Sequence, residues 1–230
     1  MKSTTPAPPR IPTALTPLSD SAVRDEDFLS ESIASGDFTG LDREELVVER
    51  SRIEDARFVA AALHRMRLTD VVIENTDLSG ADMDESVLTR VVFKDCRMSG
   101  VILSRCSLRD VLIVDCRLDD ASFRMGEAKA VCFEDVDLRR GDFYAAQLEG
   151  TRFFDCDLTG AQFAQARTPG VRFHGSNLSD LKGGPDLAGA VIDSSQVLSV
   201  AIGVLSALGI QVDDEREPMA VADRKARPRP

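Results

Sequence analysis

From Phe28 to Leu178 a large apolar residue recurs at every fifth position. The column runs Phe28, Ile33, Phe38, then Val48, Ile53, Phe58, and onward to Phe163, Phe173 and Leu178. Of its 31 members 28 are large and apolar, and only Arg43, Ala128 and Thr168 break it. A second column lies two residues ahead of the first. From Ser51 to Ser176 it has 26 members, of which 25 are Gly, Ala, Ser, Thr, Cys or Val and one is Met66. Asp, Arg, Glu, Ser, Asn and Gly fill most positions between. A period of five fits neither the 3.6 of a helix nor the 2.0 of one long strand. It fits a chain that runs briefly extended, turns a corner and runs again. One large and one small side chain then point inward on each side.

A longer period of 20 residues sits on the shorter one. Val71-Val72-Ile73, Val91-Val92-Phe93, Val111-Leu112-Ile113 and Val131-Cys132-Phe133 align, and Asn75, Asp95, Asp115 and Asp135 follow their centres by two, as Asp155 follows Phe153. Four pentapeptides per repeat predict a four-sided coil. Stacked coils would pair as parallel strands about 4.8 Å apart. The result is an all-β solenoid, held by nearest-neighbour contacts and needing cover at both ends.

Ala81-Asp82-Met83, Cys156-Asp157-Leu158-Thr159-Gly160 and Ala161-Gln162-Phe163 resemble the A-(D/N)-L-x-x consensus of the pentapeptide-repeat family. The resemblance covers about residues 26–192 and implies a right-handed quadrilateral parallel β-helix. No inserted loop interrupts the register, so the chain is similar to the loop-free members.

The flanks read differently. Residues 1–25, with Pro6, Pro8, Pro9, Pro12 and Pro17, predict a flexible N-terminal tail. The column is weakest over Leu41–Leu46, where an irregular first coil or a short helix is expected. Register fails at Gly183-Gly184-Pro185 and resumes one residue short at Leu187 and Ile192. Residues 193–212 predict a helix capped by Asp193, Ser194 or Ser195 and stopped at Gly209, then a short extended piece through Ile210 and Val212. Val197, Ala201, Val204 and Leu208 fall at helical spacing, and Leu198, Ile202 and Leu205 make a second apolar side. One side can cap the open end of the solenoid. The other side calls for a partner, and the resemblance implies a homodimer there. Residues 213–230 form a charged tail.

Composition narrows the function. With 39 acids against 28 bases the net charge is −11, which disfavours direct contact with nucleic acid or an anionic membrane. Two His and one Tyr leave little acid–base chemistry, and no catalytic, metal or cofactor constellation is visible. The expectation is a non-catalytic binding protein with no cofactor. No apolar run approaches the roughly 20 residues of a membrane span, and the first ten residues carry no apolar stretch of a secretory signal. Five cysteines are then expected as reduced thiols in a cytoplasmic protein. Cys96, Cys116 and Cys156 share one side in the small column and Cys106 another; all read as inert core residues. His64 and His174 face outward, more than five coils apart. Ala128 predicts an underfilled core near Gly126.

Two outward features are candidate contacts. Asp95, Asp115, Asp135 and Asp155 would stack into an acidic ridge, with Asp137 and Asp157 beside its later half. The alternative is that these aspartates serve the turns. Val72, Val92 and Leu112 form an outward apolar stripe, continued by Cys132 and ended by Arg152 and Arg172. Such a stripe marks a contact unless residues 1–25 fold back over it. The family resemblance implies, as one function, mimicry of B-form DNA to bind and protect a type II topoisomerase, DNA gyrase or topoisomerase IV, with antibiotic resistance as the outcome. Charge limits the mimicry to one ridge: residues 71–170 hold 18 acids and 12 bases. Their five coils are roughly 24 Å long, over which a duplex carries about 14 charges. The alternative is an interaction scaffold with no topoisomerase link.

Overall fold

The computed structural model describes residues 5–210. In chain order the elements are β1 (Thr16–Pro17), α1 (Asp20–Asp25), β2 (Phe28–Ser30), β3 (Ser32–Asp37), β4 (Asp42–Glu44) and β5 (Val47–Arg57). There follow β6 (Ala62–His64), β7 (Arg67–Glu74), β8 (Val87–Lys94), β9 (Ser107–Val114), β10 (Glu127–Glu134), β11 (Arg152–Phe154) and α2 (Val197–Ala207). The long sheet is parallel throughout, in the order β1-β3-β5-β7-β8-β9-β10-β11 with β2 also on β5. From β5 to β10 each strand meets the next 20 residues on, as Val71 meets Val91 and Val91 meets Val111. Single bridges carry the same register from Arg57 through Asp77, Arg97, Arg117, Asp137 and Asp157 to Asn177. This is the right-handed quadrilateral parallel β-helix, about 29 Å long between those bridges at one strand spacing per coil.

The corners obey one rule. Every fifth residue from Gly40 to Asp180 has a positive φ. Left-handed backbone costs a residue with a Cβ roughly 1–2 kcal/mol. Backbone hydrogen bonds to both neighbouring coils offset it: the Met98 amide donates to the Arg117 carbonyl at 2.7 Å, and the Arg97 amide donates to Thr76 at 3.0 Å. On the edge through Gly80 and Gly100 the turns close in addition. Amides of Ala81, Val101 and Ala121 donate to the carbonyls of Leu78, Met98 and Leu118. With φ positive at the third residue these are type II turns, which is why Gly recurs there.

From Val48 onward both inward columns are buried. In the C-terminal half the large column becomes two interleaved stacks of rings. Phe133, Phe153 and Phe173 stack at 4.9 and 5.2 Å, and Phe123, Phe143 and Phe163 at 4.9 and 4.8 Å. Across the interior the two stacks meet edge to face, Phe143 on Phe153 at 5.5 Å.

Each of the three exceptions in the column has a cause. Arg43 donates to the carbonyls of Arg24 and Glu26 (the latter at 3.0 Å), tying α1 across the first coil. Thr168 donates to the Asp186 carbonyl at 3.0 Å where the last coil closes through Gly184–Leu187. Ala128 leaves a cavity of about 10 Å³ lined by Leu103, Cys106, Leu108, Phe123, Phe133 and Phe143, as expected from its size.

Three expectations are corrected. Residues 41–46 are neither irregular nor helical: β4 pairs in register with β6. The irregularity lies earlier, at a bulge between Ala34 and Gly36. Residues 5–25 are not a free tail but lie on the solenoid. Thr16 and Leu18 donate backbone hydrogen bonds to Glu31 and Ile33, β1 pairs with β3, and Val23 of α1 is buried in the first coil. Prolines remove donors, yet the segment keeps enough amides to pair with the edge. Phe28 and Ile33 leave the inward column: Leu29 pairs with Val48 and Ala34 with Ile53, so these two are buried instead and Phe28 is exposed. At the other end the structure decides which side of α2 meets the core. Val200 packs on the core, and Gly203 lies over Gly184 so closely that a Cβ on Gly184 would be 3.2 Å from the Val204 nitrogen. Val197 and Leu208 therefore face away. The extended piece at Val212 and the tail 213–230 lie outside the described residues.

Phe143 touches four other rings. Phe143→Ala is expected to cost about 3–5 kcal/mol, read as a lowered denaturant midpoint. An unchanged midpoint would mean that the ring stacks do not limit the stability of the solenoid.

Candidate functional site

Outward chemistry is concentrated on the four edges, and three of them carry opposite charges one above the other. On one, Arg65 pairs with Glu45 at 3.4 Å and Arg105 with Glu85 at 3.1 Å. On the next, Arg50 pairs with Glu31 at 2.6 Å and Arg90 grips Asp70 with two bonds of 2.6 and 2.7 Å. On a third, Arg140 grips Asp120 at 2.7 and 2.6 Å.

The fourth edge differs. It carries Asp55, Asn75, Asp95, Asp115, Asp135 and Asp155 with φ between 47° and 53°. Asn75 donates to Asp55 at 2.6 Å, and Lys94 reaches Asp95 at 3.4 Å. Asp115, Asp135 and Asp155 are exposed and make no ion pair among the described residues. These carboxylates repeat at one strand spacing, about 4.8 Å. From Asp115 to Asp155 the ridge predicted from sequence is therefore a column of carboxylates without ion-pair partners. It is not wholly acidic, because Arg97 and Arg117 line the adjoining shallow groove with Asp95, Asp115, Asp135 and Asp137.

Asp137 and Asp157 are less available than the sequence suggested. Asp137 accepts two bonds from the Arg139 guanidinium, at 2.8 and 2.7 Å, and one from the Arg139 amide. Arg139 holds the Asp137 carboxyl below the usual carboxylate range. Asp157 accepts from the amide and hydroxyl of Thr159, at 3.0 and 2.5 Å. Turn service thus belongs to the residue before each large centre: Asp77, Asp82 and Asp142 do the same. The ridge aspartates serve the corner differently, as residue types that tolerate left-handed backbone.

The small column on this edge has work that the sequence did not reveal. The Thr76 hydroxyl and the Cys96, Cys116 and Cys156 thiols donate to the carbonyls two residues back, at 2.9, 3.2, 3.1 and 3.2 Å. The Cys96 amide donates to Cys116 Sγ at 3.3 Å, and the Cys156 amide to Ser176 Oγ at 3.0 Å. Hydroxyls and thiols replace backbone partners at corners without a closing turn bond, which a size pattern cannot show. All five cysteines are free and buried. Burial pushes the Cys106 and Cys156 thiols up to about 12, far from a reactive thiolate.

The apolar stripe is not an open surface. Val72, Val92 and Leu112 are half-buried and Cys132 is buried. Two residues before Leu112 and Val72, Asp110 and Asp70 accept bonds from the amides of Ala7 and Arg10, at 3.1 and 2.9 Å. The N-terminal segment from residue 5 runs beside the stripe, as in the reading in which the N-terminal residues fold back over it. Arg152, which ends the stripe, is buried.

At the C-terminal end Gln196 is the unexpected residue. It is buried, forms a capping box with Asp193, and donates to the carbonyls of Phe173 and Ser176 in the last coil. Beyond it Val197, Leu198, Ile202 and Leu208 are exposed, Leu198 by 71% and Ile202 by 56%, while Ala201, Val204 and Leu205 are half-buried. His64 lies 3.7 Å from Asp82 and His174 packs edge-on to Phe154, so the two histidines share no site. Among the described residues no group of three or more His, Cys, Asp or Glu is placed to hold a metal, and no helix is long and apolar enough to cross a membrane.

A four-sided solenoid whose core is filled by side chains, with its variable chemistry on the edges, defines a repeat protein built to present surface. The chain belongs to the pentapeptide-repeat family: the pentapeptide repeat region matches residues 66–140 and 86–163, and the eight-copy pentapeptide repeats match 156–182. No curated protein sequence matches it. Among solved structures, full-length QnrB1, described as a plasmid-mediated fluoroquinolone resistance protein, is 22% identical over 85% of this chain and 95% of its own, with a TM-score of 0.44. HetL, a pentapeptide-repeat protein involved in heterocyst differentiation regulation in the cyanobacterium Nostoc, is 19% identical over 71% and 86%, with a TM-score of 0.29. These likenesses are of fold.

Two predictions come from the edges. Asp115→Asn keeps a residue suited to the corner and removes one of a stack of like charges. It is expected to unfold at or slightly above the wild-type temperature in low salt, whereas Asp115→Val should lose about 1–2 kcal/mol. Thermal melts of the two variants decide this, and a marked loss in the Asn variant would overturn the corner account.

Asp70 has an 8% exposed side chain, and the Arg90 guanidinium, aided by the Arg10 amide, holds its pKa below the ordinary carboxylate value. Its stabilisation is therefore full above the unfolded-state pKa and lost as pH falls through the depressed folded-state value. Asp70→Ala is expected to lower the melting temperature at pH 7, by about 2 kcal/mol of stability, with the gap to wild type closing as pH falls below the ordinary carboxylate range. A gap that persists in strong acid would assign the loss to packing.

Proposed function

We propose that this chain is a non-catalytic binding protein that presents the edge of Asp95, Asp115, Asp135 and Asp155 to a basic, DNA-binding protein surface. The supporting observation is charge pairing: among the described residues this edge stacks like charges, of which Asp115, Asp135 and Asp155 have no ion-pair partner, although a corner needs no negative charge. Gly or Asn would fill it as well. A column of carboxylates at a fixed spacing on a narrow rod suits a surface shaped to take the backbone of a duplex. Among basic partners the family resemblance directs the choice to a type II topoisomerase, DNA gyrase or topoisomerase IV. Interference with a fluoroquinolone would follow from occupancy of the DNA site.

A second reading rests on a separate observation, the exposed apolar residues Val197, Leu198, Ile202 and Leu208 on α2. This face supports self-association or a scaffold role with no topoisomerase link.

The deciding experiment is gyrase supercoiling with the purified chain titrated in, with and without a fluoroquinolone. Dose-dependent inhibition or rescue from the drug is expected, and it should fall at least tenfold when the four aspartates become Asn together. Folding of that variant is checked by its melt. No effect of the wild-type chain on gyrases from several bacteria, or full activity of the folded variant, would sink the topoisomerase reading and favour the helix face.

A further inference from the structure

The N-terminal segment carries information that the edges alone do not. Ala7 and Arg10 are three residues apart, and their acceptors, Asp110 and Asp70, are two coils apart. Two coils span about 9–10 Å, and three residues of a polyproline helix span about 9 Å. Between these two bonds the segment therefore runs extended along the solenoid, crossing two coils in three residues. Further on, Thr16 donates to the Glu31 carbonyl at 2.9 Å, where the segment joins the first coil. Pro6, Pro8, Pro9, Pro12 and Pro17 all avoid residues 7 and 10, so both donating amides are kept. Asp70 is a built acceptor: nearly buried, oriented by two bonds from Arg90, and still free to take the Arg10 amide. Pro9, Ile11, Pro12 and Leu15 are half-buried in the segment, and Val72, Val92 and Leu112 are half-buried beside it.

We infer that the Asp70–Arg90–Asp110 edge, with the adjoining apolar stripe, is a binding site for extended proline-rich peptide, occupied in this chain by its own N-terminus. The site selects an extended backbone with two free amides three residues apart and apolar side chains beside them. A partner with such a segment competes with residues 5–18. This site lies on a different edge from the aspartate ridge and does not depend on any topoisomerase link.

The test uses the full chain with Ala7→Pro and Arg10→Pro, which delete the two donors while leaving the segment extended. A fluorescein-labelled peptide of residues 5–18 is added in trans and followed by anisotropy. Binding at least tenfold tighter than to the wild-type chain is expected, and it should vanish when the peptide itself carries the two prolines. Equal or undetectable binding to both chains, or binding indifferent to the prolines in the peptide, overturns the proposal. A second readout needs no variant. Excess unlabelled peptide should speed hydrogen exchange at the Ala7 and Arg10 amides of the wild-type chain; unchanged exchange at millimolar peptide means the segment is a fixed part of the fold.

Discussion

The left-handed corner at every fifth residue is the constraint from which the rest of the molecule follows. A chain that must turn a right angle after each short extended run has few backbone conformations available, and one residue in five takes a sterically costly one. That cost is tolerable only because the turns bring successive coils into register. Each coil then bonds to the coil above and the coil below, and two side chains per side close the interior. Corner and ladder are therefore inseparable. Remove the register and nothing holds the corners left-handed; relax the corners and the ladder loses its spacing.

Corner chemistry explains much of the outward composition without invoking function. Gly on one edge belongs to type II turns, and Asp and Asn on another belong to the residue types that enter left-handed backbone most readily. What the corner does not explain is pairing. Arg, Ala, Glu, Gln and Met all occupy left-handed corners elsewhere in this chain, so the geometry admits either charge. Three edges use that freedom to set Arg against Asp or Glu one coil away. The fourth stacks carboxylates at the spacing of β-strands, where like charges repel. A fold indifferent to the sign of a charge gives no stability reason for the exception, which is why the exception bears on binding.

The inward half of the structure was legible in the sequence because packing dictates it. A column that must be large and a column that must be small leave a period visible by inspection, and even its interruptions had causes. Arg43 anchors the first helix, Thr168 ties the closing turn and Ala128 leaves a small void. Outward and terminal features were less legible because their determinants are distant or not a matter of size. A proline-rich segment reads as a linker from composition, and its acceptors Asp110 and Asp70 lie 103 and 60 residues away. Cys96 and Cys116 read as small and inert, whereas their thiols complete the hydrogen bonding of corners that lack a turn bond. The orientation of α2 was left open because spacing alone cannot say which apolar stripe meets the core. Contact between Gly203 and Gly184 decides it.

A solenoid stabilised by neighbours is most exposed at its ends, and here the two ends are covered by different means. At the first coil a short helix sets Val23 into the opening and is tied by Arg43. At the last, Gln196 answers carbonyls that would otherwise meet solvent, and α2 lies across with its outer side apolar. The N-terminal segment does more than cover an end. It continues past the first coil and along the side, to the level of Asp110. End protection requires only the part that pairs with β3, so the length from Ala7 to Arg10 must be accounted for otherwise. Its amides meet carboxylates on an edge already neutralised by Arg90, not on the edge left unpaired. The chain covers the side that is apolar and charge-balanced and leaves open the side that is charged, an arrangement that separates a peptide-like contact from an electrostatic one on the same rod.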